Sequence, residues 1–218
     1  MRAPMTVLTA LSLLWTTSSA LAQETPSPVM DASATASASK SPAQRSHRVL
    51  FGSSVGGGSY GADAAAVLGI DASYAYRTAS GRDLGVTGTL ATSHVFAGAF
   101  GDLLVARLTR DLSWRFGGEL GLHRISNEYR SFDLFPRRYQ IVSAPDGVFL
   151  PYAGARMSFD RTARSGSAWG VQLQVSEDLV RQRHTVMTTG GFWSSWDMET
   201  QDVGGRTIML GFYLGQAM

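Results

Sequence analysis

The stretch Leu112-Ser113-Trp114-Arg115-Phe116-Gly117-Gly118-Glu119-Leu120-Gly121-Leu122-His123 alternates with a period of two. Its even positions are apolar apart from one glycine, and its odd positions carry Ser, Arg, Glu and His among glycines. Side chains two apart share one face of a strand, so this stretch reads as a strand with one greasy face and one polar face. In a water-soluble barrel the greasy face points inward. Here that face is wide and carries aromatic residues, while the other face is charged. Apolar outside and polar inside is the pattern of a strand that crosses a lipid bilayer.

The same alternation recurs along the chain. Leu68, Ile70, Ala72, Tyr74 and Tyr76 share a face, as do Leu84, Val86, Gly88 and Leu90. Leu104, Ala106 and Leu108 oppose Arg107, and Ala153, Ala155, Met157 and Phe159 oppose Gly154, Arg156 and Ser158. Trp169, Val171, Leu173 and Val175 form a further face, and Ile208, Leu210, Phe212 and Leu214 another. A first strand near Val49–Ser54 is less regular. The pattern predicts about eight strands of about ten residues, the length a tilted transmembrane strand needs. The fold class expected is all-β: an antiparallel transmembrane β-barrel preceded by a disordered tether.

Connection lengths give the barrel a direction. With the N-terminus in the periplasm, the inner turns are Thr78–Asp83, Thr109–Asp111 and Asp160–Ser167, all short. The outer connections are Gly56–Asp63, a short one near Val95–Ala99, then the long Ser126–Gly147 and Leu179–Gly205. Short inner turns and longer outer loops are usual in bacterial barrels. Tyr74, Tyr76, Trp114, Phe159, Trp169 and Phe212 fall at the inner strand ends, and Phe96, Phe100 and Phe149 near the outer ends. Two aromatic girdles at headgroup level are expected of that placement.

The N-terminus reads as an export signal. Arg2 precedes a mostly apolar run, Met5–Trp15, too short to span a bilayer as a helix. Ala20-Leu21-Ala22 is a small-x-small cleavage site, which makes 1–22 a signal peptide. Residues 23–47, rich in Ala, Ser, Thr and Pro, cannot offset their ordering entropy and are expected to be a disordered linker. The barrel domain is expected over 48–218. The chain has no cysteine, so neither a lipoprotein anchor nor a disulfide is available. The closed hydrogen-bond network of a barrel makes such staples unnecessary.

On these features the chain resembles the small, eight-stranded outer-membrane β-barrel proteins of Gram-negative bacteria. The resemblance covers about Arg48 to Met218 and includes the phrase Leu150-Pro-Tyr-Ala-Gly-Ala-Arg156. It implies a cell outer-membrane, porin-like location and a structural or surface-interaction role. The family usually ends in an aromatic residue read by the assembly machinery; here Phe212-Tyr213 is followed by Leu214-Gly-Gln-Ala-Met218.

Several motifs bear on function. Asp71, Arg107, Arg115, Glu119, His123 and Arg156 project inward in this reading. An eight-stranded barrel is just wide enough for side chains to fill, so these charges must pair and form a network plugging the lumen. His123-Arg-Ile-Ser126-Asn127-Glu128 holds the residue types of a nucleophile, base and acid. It is faintly similar to a His-x-Ser-Asn stretch in barrels that deacylate lipid A, so a lipid hydrolase using His123, Ser126 and Glu128 is the alternative to a non-enzymatic barrel. His123 and Ser126 are three apart and need a bulge to meet. Gly56-x-Gly58-x-x-Gly61 matches a dinucleotide fingerprint as text, but the strand-turn-helix context is missing.

The outer loops concentrate Arg130, Arg137, Arg138, Arg181, Arg183, Trp193 and Trp196. Arginine with aromatics suits interaction surfaces and anionic lipid headgroups. The partners expected are outer-membrane lipid and lipopolysaccharide, with the barrel a monomer. The formal charge is +2 with a single lysine, Lys40, so the dense basic stripe of a nucleic-acid binder is missing. The four histidines show no metal-ligand spacing, and no cofactor is indicated. A third reading is a soluble lipocalin-like barrel binding a hydrophobic ligand, which requires Leu112, Phe116 and Leu120 to face inward.

Overall fold

The structure, a computed structural model, describes residues 46–60, 64–130, 137–163, 165–189 and 196–218. The signal peptide and nearly all of the linker lie outside the described residues, as do Gly61 of the glycine motif, Trp193, and the Trp196 side chain.

Twelve strands are described: β1 (His47–Tyr60), β2 (Ala64–Arg77), β3 (Asp83–Ala91), β4 (His94–Arg107), β5 (Leu112–Ile125), β6 (Glu128–Arg130), β7 (Arg138–Ile141), β8 (Val148–Thr162), β9 (Ser167–Asp178), β10 (Gln182–Thr189), β11 (Trp196–Val203) and β12 (Gly205–Ala217). Eight of them close a barrel in the order β1-β12-β9-β8-β5-β4-β3-β2, every pairing antiparallel. Closure leaves no sheet edge at membrane depth, where an unpaired backbone amide has no water to bond. β12 pairs with β1 down to Arg48 opposite Ala217, so Leu214–Ala217 are part of the closing seam.

The apolar faces point outward. Leu120 is 62% exposed, Ile70 69% and Leu90 67%, whereas Arg115, Glu119 and His123 are buried. This facing excludes the lipocalin-like reading, because Leu120 lies outside and Glu119 inside. Gly81 (φ +81°) and Gly166 (φ +97°) make two of the tight inner turns, in a backbone region that L side chains rarely adopt.

Four expectations are corrected. Strand β1 runs on to Tyr60, so Gly56–Tyr60 is strand and not loop. Val95–Ala99 lies within β4, and the outer connection there shrinks to Thr92-Ser93. Phe96 and Phe100 are buried in the lumen and do not belong to an outer girdle. The cause is a bulge: the register of β4 against β5 slips between Asp102 and Leu104. One extra residue inverts the inside/outside phase, so a pattern extrapolated upward from Leu104 and Ala106 puts the phenylalanines on the wrong face. Finally, the described parts of the two long outer connections carry strands β6, β7, β10 and β11. They form a four-stranded sheet in the order β11-β10-β7-β6. That order matches the barrel strands β12-β9-β8-β5 from which these strands emerge.

The buried face of the loop sheet presents Tyr129, Tyr139, Ile141, Val186 and Val203, which join Tyr60, Val67, Phe96, Leu150 and Tyr152 of the barrel in one apolar cluster. Tyr129 Oη donates to the Tyr60 carbonyl at 3.3 Å. Tyr60 ends β1, across the barrel from the β5 strand that leads into β6, so the sheet folds over the outer mouth as a lid.

Candidate functional site: a plugged lumen and the sheet above it

The lumen is filled in tiers. At the inner end Arg115 donates through Nε to Asp160 at 2.5 Å and through Nη1 to Asp102 at 2.6 Å. Arg48 Nη1 reaches Asp83 at 2.5 Å and Asp160 at 3.3 Å, and Arg77 Nε reaches Asp83 at 2.8 Å. Tyr213 Oη and Ser158 Oγ donate to the other oxygen of Asp160. Three arginines thus meet three aspartates drawn from β1, β2, β3, β4, β5 and β8. Geometry this dense is what allows charges to stay in a low-dielectric interior.

The middle tier is less crowded. Thr89 Oγ1 donates to Asp71 at 2.5 Å, Arg156 Nη2 to Gln172 at 2.9 Å, and Tyr152 Oη to Glu119. The Arg156 guanidinium stacks 3.7 Å above the Phe100 ring, a cation–π contact inside the barrel. A cavity of about 30 Å³ remains here, lined by Ser54, Asp71, Ser73, Thr87, Gln172 and Gln174. It is large enough for a water or two.

At the outer end His123 sits between Asp178 (Nδ1 to Oδ1, 2.9 Å) and His94 (Nε2 to Nδ1, 3.1 Å). Phe96 stacks on His123 and Tyr60 on His94, each with ring centroids 4.1 Å apart. The other Asp178 oxygen accepts from the Gly205 amide at 2.9 Å and so pins the start of β12.

Of the six inward residues named from sequence, Arg115 alone joins the inner arginine–aspartate cluster. Asp71, Glu119 and Arg156 make separate middle contacts, and His123 belongs to the outer tier. Arg107 faces the inner rim, is exposed, and forms no ion pair among the described residues. Sequence reasoning missed the other five members of that inner cluster, Arg48, Arg77, Asp83, Asp102 and Asp160. Connection lengths alone put Asp83 and Asp160 in turns, whereas both lie in strands and point inward. For Asp160 the position two residues beyond the inward Ser158 was the signal available, whereas the bulge hid the facing of Asp102.

The hydrolytic triad is not assembled. Both ring nitrogens of His123 are engaged by Asp178 and His94. Glu128 is exposed on β6, and Ser126 follows β5 with its backbone amide bonded to the Ser93 carbonyl. The loop arginines divide into two groups. Arg130 and Arg138 are direct cross-strand partners beside Arg137 at one end of the sheet. Arg181 and Arg183 lie at the other end, near Glu177 (3.9 Å) and Asp202 (3.2 Å) respectively.

A closed eight-strand sheet with an apolar exterior and an ion-paired interior has the fold of a small transmembrane β-barrel. Among solved structures, the chain is similar in fold to the crystal structure of Neisserial surface protein A: TM-score 0.53, 10% sequence identity, 79% of this chain and 97% of that chain covered. No protein-family model and no curated protein matches the sequence.

Proposed function

We propose that this chain is a non-enzymatic, monomeric barrel of the bacterial outer membrane whose working surface is the outward side of its loop sheet. The observation that carries the reading is the double closure of the lumen. An arginine–aspartate cluster fills the inner end, and the loop sheet covers the outer mouth through Tyr129 and Tyr60. An eight-stranded interior has no room for a porin-like channel beside such a plug. What remains available is the outer face of the sheet, with Glu128, Arg130, Arg138 and Met198 exposed. In this reading residues 1–22 are removed on export and the linker that precedes β1 tethers the barrel in the periplasm.

The test pairs two measurements on the folded chain. Protease added to intact cells should cut within the loop sheet and leave the barrel whole. Planar-bilayer recordings should show no steps of porin size. Large, regular conductance steps, or loops protected in intact cells and cut only after lysis, would overturn the proposal.

A further inference from the structure

We infer that the notch where the loop sheet overhangs the β3–β4 hairpin binds the phosphorylated headgroup of an outer-leaflet lipid. The inference rests on the outer-membrane reading above and names the partner of that surface. Strand β3 is short, and only Thr92 and Ser93 connect it to β4. The barrel wall is therefore low at this point. The lid sheet crosses above it, and a groove of about 520 Å³ opens between the two, with Ala66, Leu68, Thr92, Ser93, Arg130 and Arg138 among its lining.

Depth comes first. Leu68 is 56% exposed on the lipid side of β2, and Tyr76 lies on the same face near the inner girdle. At about 3.4 Å per residue and a tilt near 40°, Leu68 stands about 21 Å above Tyr76 along the membrane normal. The apolar band of such barrels is about 25 Å tall. The groove therefore begins at the upper edge of the hydrocarbon, and its arginines stand at headgroup level.

Charge is the second argument. Arg130 and Arg138 face each other directly across the β6–β7 pair. Like charges directly opposite on a sheet are destabilising. Neither forms an ion pair among the described residues, unlike Arg183 with Asp202 and Arg206 with Glu177 on the same side of the molecule. Two forked guanidinium groups side by side match the oxygens of one phosphate, with each arginine donating in a bidentate manner. The hydroxyls of Thr92 and Ser93 add donors below, and Ala66 and Leu68 offer an apolar wall for the first part of an acyl chain. Glu128 also borders the groove, on the same face as Arg130, and opposes an anion there.

The test uses the mature full chain folded in uncharged maltoside micelles, with bisphosphorylated lipid A as the probe and the same lipid stripped of phosphate as control. Wild-type protein should bind the phosphorylated lipid. Replacing both arginines (R130Q/R138Q) should weaken that binding roughly 100-fold, as expected for two lost charge-assisted contacts. Stripping the phosphates should weaken it equally, and Glu128→Gln should strengthen it. R181Q/R183Q, at the far end of the sheet, should leave it unchanged. The variants are checked for folding by heat-modifiable gel mobility. Equal binding with and without phosphate, or an equal loss in the two double variants, would overturn the inference. So would displacement of the lipid by millimolar inorganic phosphate alone, which would indicate a generic anion site. Each of these failures leaves the surface-accessibility and conductance results intact, so the underlying reading is judged separately.

Discussion

Asp160 is the residue on which the inner plug turns, and Asp160→Asn is the sharpest perturbation of it. One carboxylate oxygen accepts from Arg115 at 2.5 Å and Arg48 at 3.3 Å, and the other from Tyr213 and Ser158. The amide keeps the volume and one acceptor, so no cavity forms and the hydroxyl partners can reorient. What disappears is the negative charge. Arg48, Arg77 and Arg115 would then face only Asp83 and Asp102, leaving one cation uncompensated among groups that, the half-buried Arg77 apart, are almost wholly buried. Breaking a buried pair by removing one partner costs about 3–5 kcal/mol. Urea unfolding in lipid vesicles, followed by tryptophan fluorescence, should report a loss of that size. The double variant R48M/D160N restores the charge balance, while Asp83 keeps Arg77 at 2.8 Å and Arg115 at 3.3 Å. It should therefore be more stable than D160N alone. A D160N midpoint within about 0.5 kcal/mol of wild type, in the range of an ordinary surface change, or strict additivity in the double variant, would refute the account of the plug.

Other consequences are equally direct. Leu120→Arg puts a charge on the lipid face about 16 Å above Trp114, close to mid-bilayer, and should cost about 2–4 kcal/mol in vesicle unfolding; normal folding of this variant would mean the facing is inverted. Truncating Tyr129 and Tyr139 to alanine removes the stacked pair at 4.9 Å that seats the lid. Limited proteolysis of the loop sheet should accelerate while the barrel's urea midpoint holds, because the two sheets are separately hydrogen-bonded. Deleting Leu214–Met218 removes the pairing of Phe51, Leu50, Val49 and Arg48 with the end of β12, so the heat-resistant folded band should be lost on gels. Ser126→Ala should leave the acyl composition of membrane lipid unchanged, since His123 is already committed at both nitrogens.

Period-two patterning was enough to choose all-β, to set the facing of Leu120 against Glu119, and to mark Arg115 and Arg156 as inward. Strand geometry alone fixes those properties, because alternate side chains must leave the sheet on opposite sides. Pairing was a different matter. Arg48 meets Asp160, 112 residues away in sequence, and only closure of the barrel brings β1 and β8 within reach across the lumen. The bulge after Asp102 was equally hidden: a single extra residue leaves no local signature, yet it turns Phe96 and Phe100 from lipid to lumen. The lid was the third. Its strands are short, and they are held by cross-strand partners and by burial of Tyr129, Tyr139 and Val186 against the barrel mouth. Sequence thus determined which face each long strand shows to lipid, a local property of the backbone. Which charges neutralise one another, what covers the mouth, and where two arginines face each other across a strand pair were decided by long-range closure, which sets distances that no periodicity encodes.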